Sequence, residues 1–231
     1  FEDRLWLDAR YRFAGSKAGD YENFGIGTAD DDAVVFAINA DQFNVITNLV
    51  GSRQLQIFTR GAEFIATGGS DNPITPTNVR VMPQTTFGSS GLRPLRIGNA
   101  TIFLTRSGRK LREFTLDPDS VDVAYVAPDL LLLADHLTDG ISETIVDFAY
   151  QREPVPTIWA VRSDGVLLSC AYLRDHGVVA WARHTTSGTV ESVAVIPHPD
   201  GDKEQVWLLV RRTINGASVR YVEYLDDTGL F

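Results

Sequence analysis

The sequence predicts an all-β protein, a β-propeller of about five four-stranded antiparallel blades, with a six-bladed or incomplete propeller as the alternative. Three observations predict it. Short runs of β-branched and aromatic residues alternate with Gly, Asn, Asp and Pro clusters along nearly the whole chain. One pattern, an apolar strand with an aromatic, a polar turn and a second strand, recurs five times. Measured between Trp6, Phe58, Phe103, Trp159 and Trp207, the repeats are 52, 45, 56 and 48 residues apart. That leaves room for two further strands per repeat, the size of a propeller blade.

The hairpins follow in order. Leu5-Trp6-Leu7 turns at Asp8 to Arg10 into Tyr11-Arg12-Phe13. Leu55 to Thr59 turns at Arg60-Gly61 into Phe64-Ile65, and Ile102-Phe103-Leu104 turns at Ser107-Gly108 into Leu111 to Leu116. Ile158 to Val161 precedes Asp164-Gly165 and Val166 to Leu173; Val206 to Val210 precedes Asn215-Gly216 and Val219 to Leu225. Asp-Gly and Asn-Gly are hairpin signals because type I′ turns need positive φ at both central positions. The intervening strands are clearest at Val178 to Arg183 and Val190 to Ile196, which flank a turn at Ser187-Gly188. Helical punctuation is confined to 120–137, where Asp129 to Ala134 has the composition of one or two turns. The first hairpin has no preceding strand pair, so either the first strands close the last blade or the missing strands lie upstream of Phe1.

The chain of 231 residues is read as one propeller domain over 1–231, long enough for a substantial core, with 44% hydrophobic and 22% charged residues. Because Phe1-Glu2-Asp3-Arg4 enters a strand at once without an initiator Met, an excerpt of a longer protein is expected. No apolar run approaches the roughly 18 residues of a membrane-spanning helix, and no basic-then-apolar leader is present at the start. The single Cys170, in the apolar run Val166 to Leu173, excludes an internal disulfide framework and reads as a small buried hydrophobe. A net charge of −9 counts against nucleic-acid binding, which rests on basic contacts to phosphate, and against adsorption to anionic membranes.

Several stretches carry a family resemblance. Arg4-Leu5-Trp6-Leu7 followed by Gly19-Asp20-Tyr21-Glu22-Asn23-Phe24 resembles bacteriophage and prophage tail proteins, of the kind similar to the nozzle (tail tubular protein B) family of short-tailed phages. Further matching stretches are Leu55 to Thr59 before Glu63, Ile74-Thr75-Pro76, Phe87-Gly88, Pro94 with Ile97-Gly98, and Asp129-Leu130 before Ala134-Asp135-His136-Leu137. Trp159 to Leu167, Ala180 to His184, and Leu209-Val210-Arg211-Arg212 with Asn215-Gly216 complete them. The resemblance spans nearly the whole chain and lies in strand-and-turn punctuation. It implies a virion component in a ring of identical subunits, made in the bacterial host cytoplasm, with no cofactor and no catalytic residues to carry over. The family's proteins are longer than this chain.

His136, His176, His184 and His198 show no metal-ligand spacing, and the lone cysteine offers no Cys-x-x-Cys pair. Asp117, Asp119 and Asp122, and Asp200-Gly201-Asp202 with Glu204, suggest calcium loops but lack a full ligand set; turn chemistry explains them. Asp30-Asp31-Asp32 reads as a solvated loop ahead of the strand Ala33 to Ile38. A Gly-x-Ser-x-Gly elbow and a phosphate-cradling Gly-x-x-x-x-Gly-Lys are both missing, and Gly25-Ile26-Gly27 leads into acids instead of a helix. Arg211-Arg212 reads as part of a surface hairpin balanced by nearby acids. A five-bladed glycosidase needs carboxylates from different blades at one mouth, and only Asp8, Asp147 and Asp164 qualify. Asp8 and Asp164 read as hairpin-tip residues. Trp6, Trp159 and Trp207, which a glycan-binding propeller could use for stacking, read as inter-blade core.

No catalytic, cofactor-binding or metal residue is therefore assigned. The expected role is structural, part of a phage or prophage tail ring or tube that DNA crosses during ejection; the alternative is a carbohydrate-active propeller, glycosidase or host-glycan-binding. Expected partners are identical subunits in the parent protein and other tail proteins, without tight nucleic-acid binding or membrane insertion. No long apolar edge is evident, so the isolated domain is expected to be monomeric or weakly associated.

Overall fold

The computed structural model describes residues 1–38, 44–69, 72–120, 124–138 and 143–226. These pack as two compact units, the first Phe1–Ser107 with Leu111–Asp129, the second Gly108–Lys110 with Leu130 onward. The chain is all-β, with five antiparallel sheets of three or four strands, as propeller blades require. Among the described residues each sheet takes only strands consecutive in the chain.

Unit 1 holds three sheets. The first is β1 (Trp6–Ala9), β2 (Arg12–Gly15) and β3 (Val34–Ala37); the second is β4 (Ile46–Gly51), β5 (Leu55–Thr59), β6 (Glu63–Thr67) and β7 (Arg80–Thr85). The third is β8 (Leu95–Ile97), β9 (Ala100–Leu104), β10 (Leu111–Leu116) and β11 (Tyr125–Val126). All three hairpins expected here form, with β1, β5 and β9 returning through β2, β6 and β10.

Burial follows from how these sheets stack. Every position of β5 is buried, because successive side chains point to opposite faces and both faces are covered. Leu55 and Ile57 join Phe13, Val34 and Phe64 in one core, with Trp6 and Phe36 packed against it. Phe58 joins Ile65, Phe103, Phe114 and Tyr125 in another. Each such fully buried large side chain contributes about 1.5–3 kcal/mol. The loop between β2 and β3 is held by the buried Arg4, whose guanidinium donates to the carbonyls of Ser16, Asp30 and Asp32, each at 2.6 Å. Of the acidic run, Asp32 is not free in solvent but pairs with Lys17 at 2.6 Å.

Unit 2 holds two sheets. The fourth sheet is β12 (Ile145–Gln151), β13 (Thr157–Arg162), β14 (Leu167–Leu173) and β15 (Val178–His184); the fifth is β16 (Thr189–Pro197), β17 (Glu204–Ile214) and β18 (Ala217–Tyr224). Val161 and Leu167 of the fourth pack against Val190, Val193, Val206, Leu208 and Val210 of the fifth. The strands flanking Ser187-Gly188 pair not with each other but with β14 and β17, so this turn is a passage between sheets.

Local chemistry accounts for the turns, with two departures from expectation. Asn215 and Gly216 both take positive φ, 50° and 80°, joining β17 to β18 as a type I′ turn requires. At Asp164-Gly165 only the glycine is left-handed, at φ 85°, because Asp164 is drawn to Arg162 and to the amide of Val166. The expected helical turns appear as a 3-10 segment, Leu132–Leu137, broken by non-helical φ/ψ at Ala134; residues 121–123 lie outside the described residues.

Gly165 tests the packing of this turn. A Cβ there lies 2.5 Å from the Cβ of Thr189, in a backbone conformation that L side chains rarely adopt. Gly165→Ala is expected to destabilise unit 2 by about 2 kcal/mol or more, since strain and overlap add. A thermal melt indistinguishable from the unaltered chain would contradict this account of the turn.

Candidate functional site

Each carboxylate considered for catalysis has a definite place. Asp8 lies in β1 of unit 1, exposed and opposite Phe13. Asp147 sits at a register shift in β12, where Oδ2 accepts from the hydroxyl of Ser192 at 2.6 Å and the amide of Val193 at 3.0 Å, and Oδ1 from the amide of Phe148 at 2.9 Å. It braces the fourth sheet to the fifth. Asp164 is gripped by Arg162, whose guanidinium also donates to the carbonyl of Leu137 at 2.8 Å. The Arg162 side chain beside it holds the Asp164 carboxyl below its ordinary range. Both carboxylates of unit 2 are thus acceptors in structural hydrogen bonds, a use that competes with proton transfer to a substrate.

The other candidates divide similarly. His136 and His176 are exposed within 3-10 segments. Nδ1 of His198 accepts from the amide of Asp200 at 3.1 Å, with Asp202 Oδ1 at 3.7 Å, so this loop folds around the imidazole. Asp117 Oδ1 accepts from the amide of Asp119 at 3.0 Å, the turn chemistry expected; Asp122 lies outside the described residues. Among the described residues no group of three His, Cys, Asp or Glu side chains is placed to hold a metal. Cys170 is buried, and burial pushes its thiol up to about 12, far from a reactive thiolate.

Two polar features escaped the sequence. The hydroxyl of Ser169 lies 2.7 Å from Nε2 of His184, whose ring centroid is 5.5 Å from that of Trp159. Desolvation lowers the imidazole's pKa from its ordinary value. This nucleophile–base contact was not expected, because fifteen residues separate the two and only the β14–β15 register brings them together. Among the described residues nothing orients the second ring nitrogen, as a triad would. The second feature is Glu63, wholly buried in unit 1. Its Oε2 accepts from the hydroxyl of Thr85 at 2.5 Å and the amide of Phe87 at 3.3 Å, while Oε1 has no partner. Burial raises its pKa to about 7. A charged residue facing inward with Ile65 in an apolar return strand was the available signal.

The tryptophans expected in the inter-blade core are only partly enclosed. Trp6, Trp159 and Trp207 are half-buried, with Trp6 and Trp159 packed against the cores of their units; only Phe58 and Phe103 of the repeat aromatics are fully buried. The indole N–H of Trp6 donates to Phe1 O and that of Trp159 to Gln151 Oε1, both at 3.0 Å, the polar partners such rings need when partly buried.

No protein-family model matches the chain, and no curated protein matches it.

The β17–β18 hairpin of unit 2 carries exposed apolar side chains. Val219, Tyr221, Val222 and Tyr224 of β18 are all exposed, Val222 to 71%. Arg211 and Arg212, considered as a phosphate site, are consumed by carboxylates instead. Arg212 pairs with Glu223 at 2.5 Å, while Arg211 and Arg220 both reach Glu191, at 3.2 and 2.7 Å. The hairpin therefore combines neutralised charge rows with uncovered apolar side chains, the composition of a contact surface.

Proposed function

We propose that this chain is a structural component of a phage or prophage tail, a segment of a ring or tube that DNA crosses during ejection. The observation that carries the reading is the use of its ionisable groups: Asp147, Asp164 and the Arg212–Glu223 pair tie strands together, while apolar surface is left uncovered on the last hairpin. The resemblance of its strand-and-turn motifs to tail nozzle proteins supplies the context. In this reading the parent protein closes into a ring of identical subunits by head-to-tail contacts and meets other tail proteins in the virion.

Charge supports the same role. A wall that DNA passes should not bind the backbone, because basic side chains gain affinity by counterion release and would stall passage. The net charge of −9 suits a repelling wall. On immobilised duplex DNA at low salt the chain is expected to pass unretained, and tight, salt-sensitive retention would end the repelling-wall idea. The parent protein, mixed with its neighbouring tail proteins, is expected to sediment as a closed ring; a parent that stays monomeric there removes the ring. Polysaccharide turnover abolished by Asp8→Asn or Asp164→Asn would instead favour a carbohydrate-active propeller.

A further inference from the structure

Four of the five repeated hairpins carry an arginine at the turn, Arg10, Arg60, Arg106 and Arg162. In the fourth sheet the turn supplies its own carboxylate, and Nε of Arg162 donates to Oδ1 of Asp164 at 3.0 Å. The turns of unit 1 supply none. Arg10, Arg60 and Arg106 are exposed and form no ion pair among the described residues, as does Arg12 at the head of β2. The exposed Asp8 of β1 offsets one of these charges. The three turns adjoin one another. Arg10 O accepts from the Ile46 amide at 2.6 Å, and Val45 O from the Arg60 amide at 2.9 Å. Nη1 of Arg106 then donates to Arg60 O at 3.3 Å. One end of unit 1 is therefore a row of arginines, in a chain of net charge −9.

The far end of the first sheet is acidic. β2 runs from the Arg10 turn to the loop 16–33, and β6 from the Arg60 turn to the segment 72–79. The five residues of β6 set the two ends roughly 17 Å apart. At the far end Glu2, Asp30, Asp31, Asn72, Thr77 and Asn78 line a cavity of about 520 Å³. The Ile74 amide donates to Glu2 Oε2 at 2.7 Å, tying the first sheet's loops to the second's. The bases of this loop cluster are engaged, Arg4 by backbone carbonyls and Lys17 by Asp32. Asp30 and Asp31 are exposed and form no ion pair among the described residues. Arg53, Arg80 and Arg96 lie at this end of the second and third sheets, outside the cavity wall.

We propose that the arginine turns of one copy dock against the acidic cavity of a second copy, Arg60 and Arg106 meeting the partner's Asp30 and Asp31. The pair Arg162–Asp164 shows which class of group a turn arginine of this chain takes up, a carboxylate. A guanidinium matches a carboxylate with two parallel hydrogen bonds, so the unpaired turns of unit 1 suit carboxylates from outside. A second copy is the occupant because each copy bears both halves, unpaired arginines at one end and unpaired carboxylates at the other. Two acidic chains repel at long range. At about 0.1 M salt the screening length is roughly 10 Å, shorter than the separation of the ends, so the facing charges govern the contact. The contact is heterologous and can add copies without limit. It needs only two copies of this chain, so it stands or falls independently of the tail reading.

Sedimentation equilibrium of the 231-residue chain tests it. Exposed charge pairs make weak contacts, so association is expected on the order of 0.1 mM and above at about 0.1 M salt. It is expected to vanish near 1 M salt, where screening falls to roughly 3 Å. The double variant R60A/R106A and the double variant D30N/D31N alter exposed side chains, and each is expected to keep the far-ultraviolet spectrum. Each is expected to associate about tenfold or more weakly than the unaltered chain. Mixed one to one, the first still offers its cavity and the second its arginines. The mixture is therefore expected to form a dimer and nothing longer, because the outer ends of that dimer are both disabled. A chain monomeric up to about 1 mM overturns the inference. So does a double variant that associates like the unaltered chain, or a mixture that stays monomeric.

Discussion

Phe103→Ala is expected to lower the stability of unit 1 by about 3–5 kcal/mol, the usual cost of emptying a buried aromatic site. Phe103 is fully buried, with ring centroids 5.1 Å from Phe58 and 6.4 Å from Phe114, the latter edge-on. Phe58 and Phe114 lie 5.5 Å apart, and Phe114 stacks on Tyr125 at 4.6 Å. These four rings join the second sheet to the third, so removing one forfeits transfer free energy, edge-to-face contacts and close packing together. Sheet frameworks collapse poorly onto such a void, which favours the upper part of the range. Trp159→Ala, at a half-buried ring, is expected to cost less than half as much. Urea titrations of the two variants decide it; equal losses would mean that the repeat aromatics are not divided into fully and partly buried rings as described.

The second large effect is a dependence of stability on pH set by Glu63. Its carboxyl has a pKa of about 7 in the folded chain against an ordinary value of 4.5, chiefly through burial. The folded state therefore holds a proton that the unfolded state has released between these values. Stability contributed by the protonated form is complete below pH 4.5, falls as pH rises from there, and is lost once pH passes about 7. The full difference corresponds to at most about 3 kcal/mol. Glu63→Gln keeps the size and an acceptor for Thr85 while removing the titration. Its denaturation midpoint is expected to change little between pH 5 and pH 8, and at pH 8 to exceed that of the unaltered chain. A parallel decline of both proteins over that interval would place the titrating group elsewhere.

Much of the local structure could be read from single residues. Asn215-Gly216 announces its turn because few residue pairs tolerate two positive φ angles, and the turn forms there. The apolar strands around Phe58, Phe103 and Val206 to Val210 return where the next apolar run begins. Their partners are near in sequence, so chain connectivity decides the pairing. Asp164-Gly165 shows the boundary of this logic. The hairpin is where the dipeptide places it, yet the capture of Asp164 by Arg162 changes the turn conformation.

The candidate site was less accessible, for a physical reason visible in Glu63, Ser169 and β18. Composition and spacing established an all-β chain of repeated hairpins with an acidic surplus, because turn stereochemistry and period-two alternation act over a few residues. Tertiary structure alone decided which faces are covered. It buried Glu63 beneath Thr85 and Phe87, set Ser169 against His184, and left Trp159 half in solvent. It also divided β15 from β16 at Gly188, where a Cβ meets the carbonyl of Arg211 at 2.7 Å. Burial, desolvation and the exposure of β18 depend on what lies on the far side of a sheet, and residues distant in the chain provide it.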